Sequence, residues 1–379
     1  MSVATKHKKD CCGCNACVEI CPKHCIEMRP DGKGFHYPAV DNAICIECGA
    51  CERVCPFPTH PEDVTRPSAA YAAWSNNGHT HTTSTSGGAA YELSHHILSQ
   101  GGVVYGCTAD GLDVRHIRVT EPDQLYRLQG SKYVQSDTRG IFSQVRADLR
   151  SGLTVLFIGT PCQTAGLKRF IGKRSDGLYL VDLICHGVPS RQMLLEHLKP
   201  LIKGHRIDAL SFREDMKFRL RAKEKGTTIY TGGAMGVQPH DLYYDAFLEG
   251  TTYRPSCYNC GYSAPQRVSD ITIGDFWGLQ DSDRLPRQRE DGVSAILINT
   301  PKGEELIEAI QPQIFSIRRP VEEAIAGNSQ LRHPTRRRLP ARVFSLLYPT
   351  LSFDNAFQGA RVARKMQSLI KIIRNGCRR

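Results

Sequence analysis

A single cysteine pattern, met twice before residue 57, constrains this chain more than any other feature. Cys11, Cys14, Cys17 and Cys21 are spaced C-x2-C-x2-C-x3-C and run into Pro22; Cys45, Cys48, Cys51 and Cys55 repeat the spacing and run into Pro56. Three thiolates so spaced can wrap one face of a 4Fe-4S cubane, while the turn at proline carries the fourth to a neighbouring cubane. The repeat therefore assigns Cys11, Cys14, Cys17 and Cys55 to one cluster and Cys21, Cys45, Cys48 and Cys51 to a second. Paired zinc sites would need only C-x2-C steps, which leaves the eight-ligand repeat and its two prolines unexplained. Cys12 and Cys25 fall outside the register and read as spare thiols.

Residues 1–62 are thus expected to form a bacterial-type ferredoxin domain, with a turn at 31–35 feeding a strand at 35–40. The full length of 379 residues and a hydrophobic content of 40% call for at least one further domain. The clustering of the 16 cysteines at short, regular spacings, behind a polar, basic N-terminus, favours metal ligation in a reducing compartment over disulfides. No apolar run approaches the roughly 18 residues of a membrane span, so a cytoplasmic location is expected. The net charge of +11 is a property of residues 332–379, where twelve Lys and Arg face one acid, Asp354. Val362, Met366, Leu369, Ile370 and Ile373 share a helical face there, with Arg361, Arg364, Lys365, Lys371 and Arg374 largely off it. Such a basic amphipathic helix suits the inner face of an anionic membrane, an acidic partner, or packing on its own domain. No nucleic-acid partner is expected, since no nucleic-acid module is present and the tail arginines lack interleaved aromatics.

Beyond a proline-rich linker at 56–67, apolar runs at 103–107, 154–158, 178–183 and 209–212 read as strands. Helical patterns at 89–98, 163–170 and 191–201 alternate with them, which favours an α/β core with a largely parallel sheet, and 227–231 reads as a hairpin addition. Cys162 and Cys185 each follow a strand, near the carboxyl edge where ligand sites of open sheets gather. With Cys257 and Cys260 they could hold a third 4Fe-4S cluster, although that C-x2-C pair alone suits zinc as well. Ser84, Ser86, Gly87 and Gly88 precede the helix at 89–98, offering hydroxyls and free N–H groups to a pyrophosphate, or simply capping the helix. Gly130, Ser131, Lys132 and Tyr133 combine a turn, a cation and an aromatic ring; Lys132 is the candidate catalytic residue, as the cation beside an anionic reduced flavin, or else a solvated loop lysine.

Taken in order, both cysteine repeats, the Ser84–Gly88 turn, Gly130-Ser131-Lys132-Tyr133, Gly159-Thr160-Pro161-Cys162-Gln163, the 182–187 segment, Cys257-x2-Cys260 and the 269–275 segment resemble the beta subunits of coenzyme F-420 hydrogenase and dehydrogenase, bacterial type with a fused ferredoxin domain. The resemblance covers residues 8–310. It implies a ferredoxin domain (1–62) and a two-part α/β flavin and iron-sulfur domain with α+β elements (69–150 and 151–320); residues 321–379 read from their charge as a basic tail outside the resemblance. It further implies FAD on Ser86–Gly88 and Ser131–Tyr133, and a cluster on Cys162, Cys185, Cys257 and Cys260. The expected activity is oxidoreduction between the clusters and FAD, with ferredoxin, a deazaflavin such as coenzyme F-420, or an organic small molecule as the other partner. The alternative is an electron-transfer subunit that wires a separate reductase or hydrogenase subunit, or an enzyme of polysaccharide biosynthesis, without substrate chemistry of its own.

Overall fold

A computed structural model describes residue 3 and residues 7–57, 64–173, 175–214, 216–280, 285–286 and 291–376, with side chains to residue 367. Much of the linker read at 56–67, and the end of the first domain at 62, therefore lies outside the described residues.

Each cysteine triplet ends in a one-turn helix, Ala16–Glu19 carrying Cys17 and Ala50–Arg53 carrying Cys51. Both helices are entered through a left-handed residue, Asn15 at φ 65° and Gly49 at φ 69°, which lets the chain double back around the thiols. Between them, strands β1 (Ile26–Pro30) and β2 (His36–Val40) form an antiparallel hairpin. Its turn is held by the Asp31 carboxylate, which accepts the N–H groups of Lys33 and Phe35 at 3.0 and 3.1 Å.

The remaining strands form one mixed sheet. In chain order they are β3 (Ala69–Ser75), β4 (Val103–Asp110), β5 (Asp113–Val119), β6 (Val155–Gly159), β7 (Leu178–Leu183), β8 (Ala209–Glu214), β9 (Lys217–Glu224), β10 (Thr227–Gly233), β11 (Ile271–Asp275), β12 (Ser294–Ile298) and β13 (Ile314–Arg319). Their spatial order is β10-β9-β8-β4-β6-β7-β11-β12-β3-β13, with β5 also paired to β4. The expected largely parallel sheet is corrected here: only β4, β6, β7 and β11 run parallel, and every flanking pair is antiparallel. Connection length decides part of this. A parallel step needs a crossover, and helix Ile141–Arg150 lies between β4 and β6, helix Pro161–Ile171 between β6 and β7, and helix Arg191–Ile202 between β7 and β11. Between β9 and β10 stand only Lys225 and Gly226, both at positive φ, a two-residue turn that can only return the chain antiparallel. The α/β centre with α+β flanks is as expected, and the central strands lie close to the apolar runs read from sequence.

Residues 339–360, within the segment read as a basic tail, pack into the core. Helix Leu339–Leu347 and the first turns of Phe353–Gly376 place Phe344, Tyr348, Phe353, Phe357 and Ala360 in one core with Leu194, Tyr243 and Tyr244. His197, on helix Arg191–Ile202, fixes this arrangement through Asp241 at 3.0 Å and Asp354 at 2.7 Å. Val362 and Met366, further along, are exposed; the side chains of Leu369, Ile370, Lys371, Ile373 and Arg374 lie outside the described residues. No helix among the described residues is long and apolar enough to cross a membrane.

The cysteine-rich unit sits against the sheet unit through buried polar contacts. Thr138 donates to the Cys14 carbonyl at 3.0 Å, Asn15 donates to Thr138 at 3.1 Å, and the Glu19 carboxylate accepts the N–H groups of Gly140 and Ser143. At Gly166 there is room for hydrogen only, because a Cβ would stand 2.9 Å from Cys14 Sγ.

Candidate functional site

The turn read as a phosphate cradle is built by close backbone approach. A Cβ on Gly87 would fall 2.1 Å from the Ala73 carbonyl of β3, so only glycine lets the turn lie on the sheet. Gly88 then begins helix Ala89–Ser99 at φ 89° and, being glycine, offers that helix N-terminus no side-chain cap. Its free N–H groups and positive dipole end suit an anion. Across from it, Thr85 Oγ1 is 3.0 Å from Ser131 Oγ, which joins the two segments singled out in the sequence.

These segments wall a cavity of about 390 Å3, within the range of small-molecule and cofactor sites. Ser84, Ser86, Gly88, Gly130, Ser131, Lys132 and Tyr133 line it; Gly87 does not, being spent on packing. Ser86 Oγ is buried with no hydrogen-bond partner among the described residues, and an unpaired buried hydroxyl costs free energy that a ligand in the cavity would relieve. Lys132 Nζ donates to the carbonyls of Leu128 at 3.0 Å and Gln129 at 2.8 Å, which leaves one of its three donors. Burial lowers its pKa to about 8. Tyr133 is held edge-on and tilted among Phe212, Phe218, Tyr244 and Phe247. Orphaned hydroxyl, glycine-capped helix end, spare ammonium donor and aromatic wall together fit a flavin with its pyrophosphate.

The same cavity is lined by Cys162, Cys185, Cys257 and Cys260. Cys162 lies in the first turn of helix Pro161–Ile171, directly after β6, and Cys185 two residues after the adjacent parallel β7. Cys257 and Cys260 come from the turn at Pro255–Asn259. Burial pushes Cys185 up to about 12 and Cys260 up to about 11, each further raised by neighbouring thiols of the set. Buried thiols so placed release their protons to a metal. Among the described residues no three His, Cys, Asp or Glu side chains converge on one point that would hold a single metal ion. The β7–β11 pair beneath is braced by Asp182, which accepts from Thr272 at 2.6 Å and from Arg267 at 2.9 Å, with both charges buried. The 182–187 and 269–275 segments thus contribute structure as well as Cys185.

In the N-terminal unit, a hydrogen bond with Cys12 lowers the Cys14 thiol pKa, but burial and the neighbouring Cys55 and Cys17 outweigh it and raise the value, while burial, with Cys11, Cys55 and Cys51 nearby, pushes Cys17 up to about 12. Cys21, Cys45, Cys48 and Cys51 line a separate small recess, the second assigned set. The two thiols read as spare are not remote. Cys25 Sγ is 3.4 Å from Cys21 Sγ, and Cys12 touches Cys162 and Cys14 while lining the larger cavity.

Sequence reasoning gave no role to three cavity residues, although it quoted Gln163 within a motif. His116 donates or accepts at both nitrogens, with Ile158 O and Ser136 Oγ each 3.0 Å away; burial lowers its pKa to about 4, so the ring is neutral. Gln163, which closes the Thr160 cap, also reaches Ser136 Oγ at 3.0 Å. Arg254 is buried behind the thiols. A lone His or Arg in a strand or loop carries no spacing signal, so only the tertiary fold reveals these.

Comparison with known proteins bears on this geometry directly. Residues 152–323 match the family model for the C terminus of the coenzyme F420 hydrogenase/dehydrogenase beta subunit. This region belongs to that beta-subunit family. It contains in full the elements that carry the cavity thiols, namely β6 with its helix, β7, and the Pro255–Asn259 turn. Residues 10–58 match the 4Fe-4S dicluster domain and hold all eight cysteines of the repeat. A ferredoxin of Hydrogenibacillus schlegelii is 49% identical over 41 residues, 11% of this chain and 46% of that one; the match thus spans about half the length of that relative. Among solved structures, a chain of the F420-reducing [NiFe] hydrogenase complex from Methanosarcina barkeri is similar at 16% identity and a TM-score of 0.48, over 81% of this chain and 94% of that one. The beta-subunit-family domain here is therefore preceded by a two-cluster iron-sulfur domain on the same chain.

Proposed function

We propose that this chain is an iron-sulfur flavoprotein oxidoreductase that passes electrons between 4Fe-4S clusters and FAD. A single observation carries the reading: the Ser84–Gly88 and Gly130–Tyr133 segments and the Cys162, Cys185, Cys257 and Cys260 thiols face one cavity of about 390 Å3. Bound there, FAD would supply interconversion of two-electron and one-electron transfer. The protein's part is positioning. The glycine-capped helix end and Ser86 would hold the pyrophosphate, and Ser131, fixed by Thr85, would orient the cofactor. Lys132 would direct its remaining N–H into the cavity as a cation. Cys11, Cys14, Cys17 and Cys55 would hold one cluster, Cys21, Cys45, Cys48 and Cys51 a second, and the four cavity thiols a third. The other redox partner is a ferredoxin, a reductase or hydrogenase subunit, the deazaflavin coenzyme F-420 or an organic small molecule.

The test is single turnover. Anaerobically reconstituted protein is given dithionite or reduced ferredoxin while flavin absorbance is followed. Flavin reduction that slows or stops in Cys162→Ala supports the reading. A chain that retains no flavin under any reconstitution leaves the electron-transfer subunit as the better account.

A further inference from the structure

Arg254 is 1% exposed and one of the largest fully buried side chains in the protein. A guanidinium is always charged, and burying one without an anion costs several kcal/mol. Among the described residues no carboxylate pairs with it. Its Nε donates to the Cys11 carbonyl at 2.7 Å, Nη2 to the His36 carbonyl at 2.7 Å and towards Cys11 Sγ at 3.5 Å, and Nη1 to Gln135 Oε1 at 3.1 Å. The rings of Tyr37 and Phe35 pack on it at 4.4 and 5.5 Å. Its own carbonyl accepts the Cys257 N–H at 2.9 Å. Gln135, in turn, donates to the Cys12 carbonyl at 3.0 Å. The charge therefore sits between the two units, sealed from water, with a cysteine sulfur as the nearest group able to carry the opposite sign.

We propose that Arg254 is the buried counter-charge of the cluster that Cys11 helps to hold, and that it raises this inner cluster's reduction potential above that of the outer one. The inference rests on the assignment of Cys11, Cys14, Cys17 and Cys55 as one ligand set. A cubane with four thiolates is anionic and gains one more negative charge on reduction, so a fixed cation beside its ligand sulfur favours the reduced state. Hydrogen bonds to the sulfurs, net charge and solvent exposure are the protein's levers on such potentials. The outer set has no equivalent among the described residues. Arg53 donates to the Cys48 carbonyl at 2.9 Å, but Arg53 and Cys48 are both exposed, where water and salt screen the charge.

The experiment is an EPR-monitored redox titration of the reconstituted full chain, with iron and sulfide measured on every sample. Arg254→Gln removes the charge; Gln135→Glu keeps Arg254 and neutralises it with a carboxylate at the Nη1 contact; Thr138→Val loosens the same seam without changing charge. The expected result is a downward shift of one ferredoxin-type midpoint in Arg254→Gln and in Gln135→Glu, with the other unmoved and Thr138→Val unchanged. If Arg254→Gln loses its iron, Gln135→Glu decides. Full iron content with no midpoint displaced overturns the proposal. A wild-type N-terminal unit lacking two cubanes would instead overturn the ligand assignment, a separate outcome read from the iron content alone.

Discussion

Thr85 Oγ1 and Ser131 Oγ stand 3.0 Å apart, the one hydroxyl in the turn before a helix and the other in a loop 46 residues later. Their hydrogen bond closes the proposed cofactor wall. A neutral hydrogen bond contributes about 0.5–1.5 kcal/mol, so Thr85→Val is expected to weaken FAD binding roughly 2- to 10-fold. Fluorescence titration of the apoprotein measures this, and unchanged affinity would remove the pair from the site.

Lys132 should reveal itself by opposite effects on stability and affinity. Its folded pKa, lowered by burial to about 8 from 10.5, means that the unfolded chain holds the proton more tightly between those values. The group therefore opposes folding below about pH 8, and that cost fades as pH rises towards 10.5. Lys132→Met should stabilise the apoprotein at pH 7, with the difference from wild type shrinking in alkali. A lost charge-assisted contact of roughly 1.5–3 kcal/mol should weaken FAD binding by roughly 10- to 150-fold. Melting curves across pH 7–10 and flavin titration read the two effects. Identical behaviour of the two proteins would leave Lys132 an ordinary wall residue.

His197 has the reverse sign. Burial alone would lower its pKa, but the hydrogen bonds and charges of Asp241 and Asp354 outweigh it and raise the value to about 9 from 6.5. The stabilisation is fully present below about pH 6.5 and is lost as pH rises through about 9. Removing one member of such a buried pair costs on the order of 3 kcal/mol. Urea midpoints of wild type and His197→Gln should therefore converge in alkali. Parallel curves from pH 6 to 10 would show that the ring is not charged in the folded state.

Metal analysis of the reconstituted chain should give about 12 Fe, four for each of three cubanes. Cys162→Ala should lose about a third of it with the ferredoxin-type EPR signals intact. Cys12→Ser should lose none, although Cys12 lines the same cavity. Zinc at Cys257 and Cys260, or iron loss in Cys12→Ser, would redraw the third ligand set.

Two truncations separate packing from surface contact at the C-terminus. Deletion from residue 332 removes Phe344, Phe353 and Phe357 from the core, and each buried Phe is worth about 3–5 kcal/mol, enough together to exhaust the stability of an ordinary domain. Deletion from residue 362 should keep a cooperative melt and the full cluster content while abolishing sedimentation with anionic vesicles. Equal pelleting of the shorter and full chains would remove the membrane contact.

Much of this was legible because it is local. The cysteine repeat, the strands at 155–159 and 178–183, and the placement of Cys162 and Cys185 beyond them all follow from spacing and period. That Cys12 lines the cavity beside Cys162 was not legible, because spacing identifies residues in register and is blind to what a neighbour outside it meets in the fold. Arg254, His116 and the Ser86 orphan depend on which distant loops meet. The β9–β10 hairpin was read in advance, but the other antiparallel flanks were hidden for another reason: alternation marks a strand but does not give its direction, and pairs such as β12–β3 and β13–β3 join segments far apart in the chain.

Helix Pro161–Ile171 carries Cys162 in its first turn and Gly166 four residues later, against Cys14. One helical turn, about 6 Å of rise for four residues, is thus a ruler laid between two sets of thiols. A residue with a side chain at position 166 would act as a shim. The cavity thiol and the ferredoxin thiol could then no longer both keep their places, and the break would come in the distance between the two cysteine sets, with each set still whole.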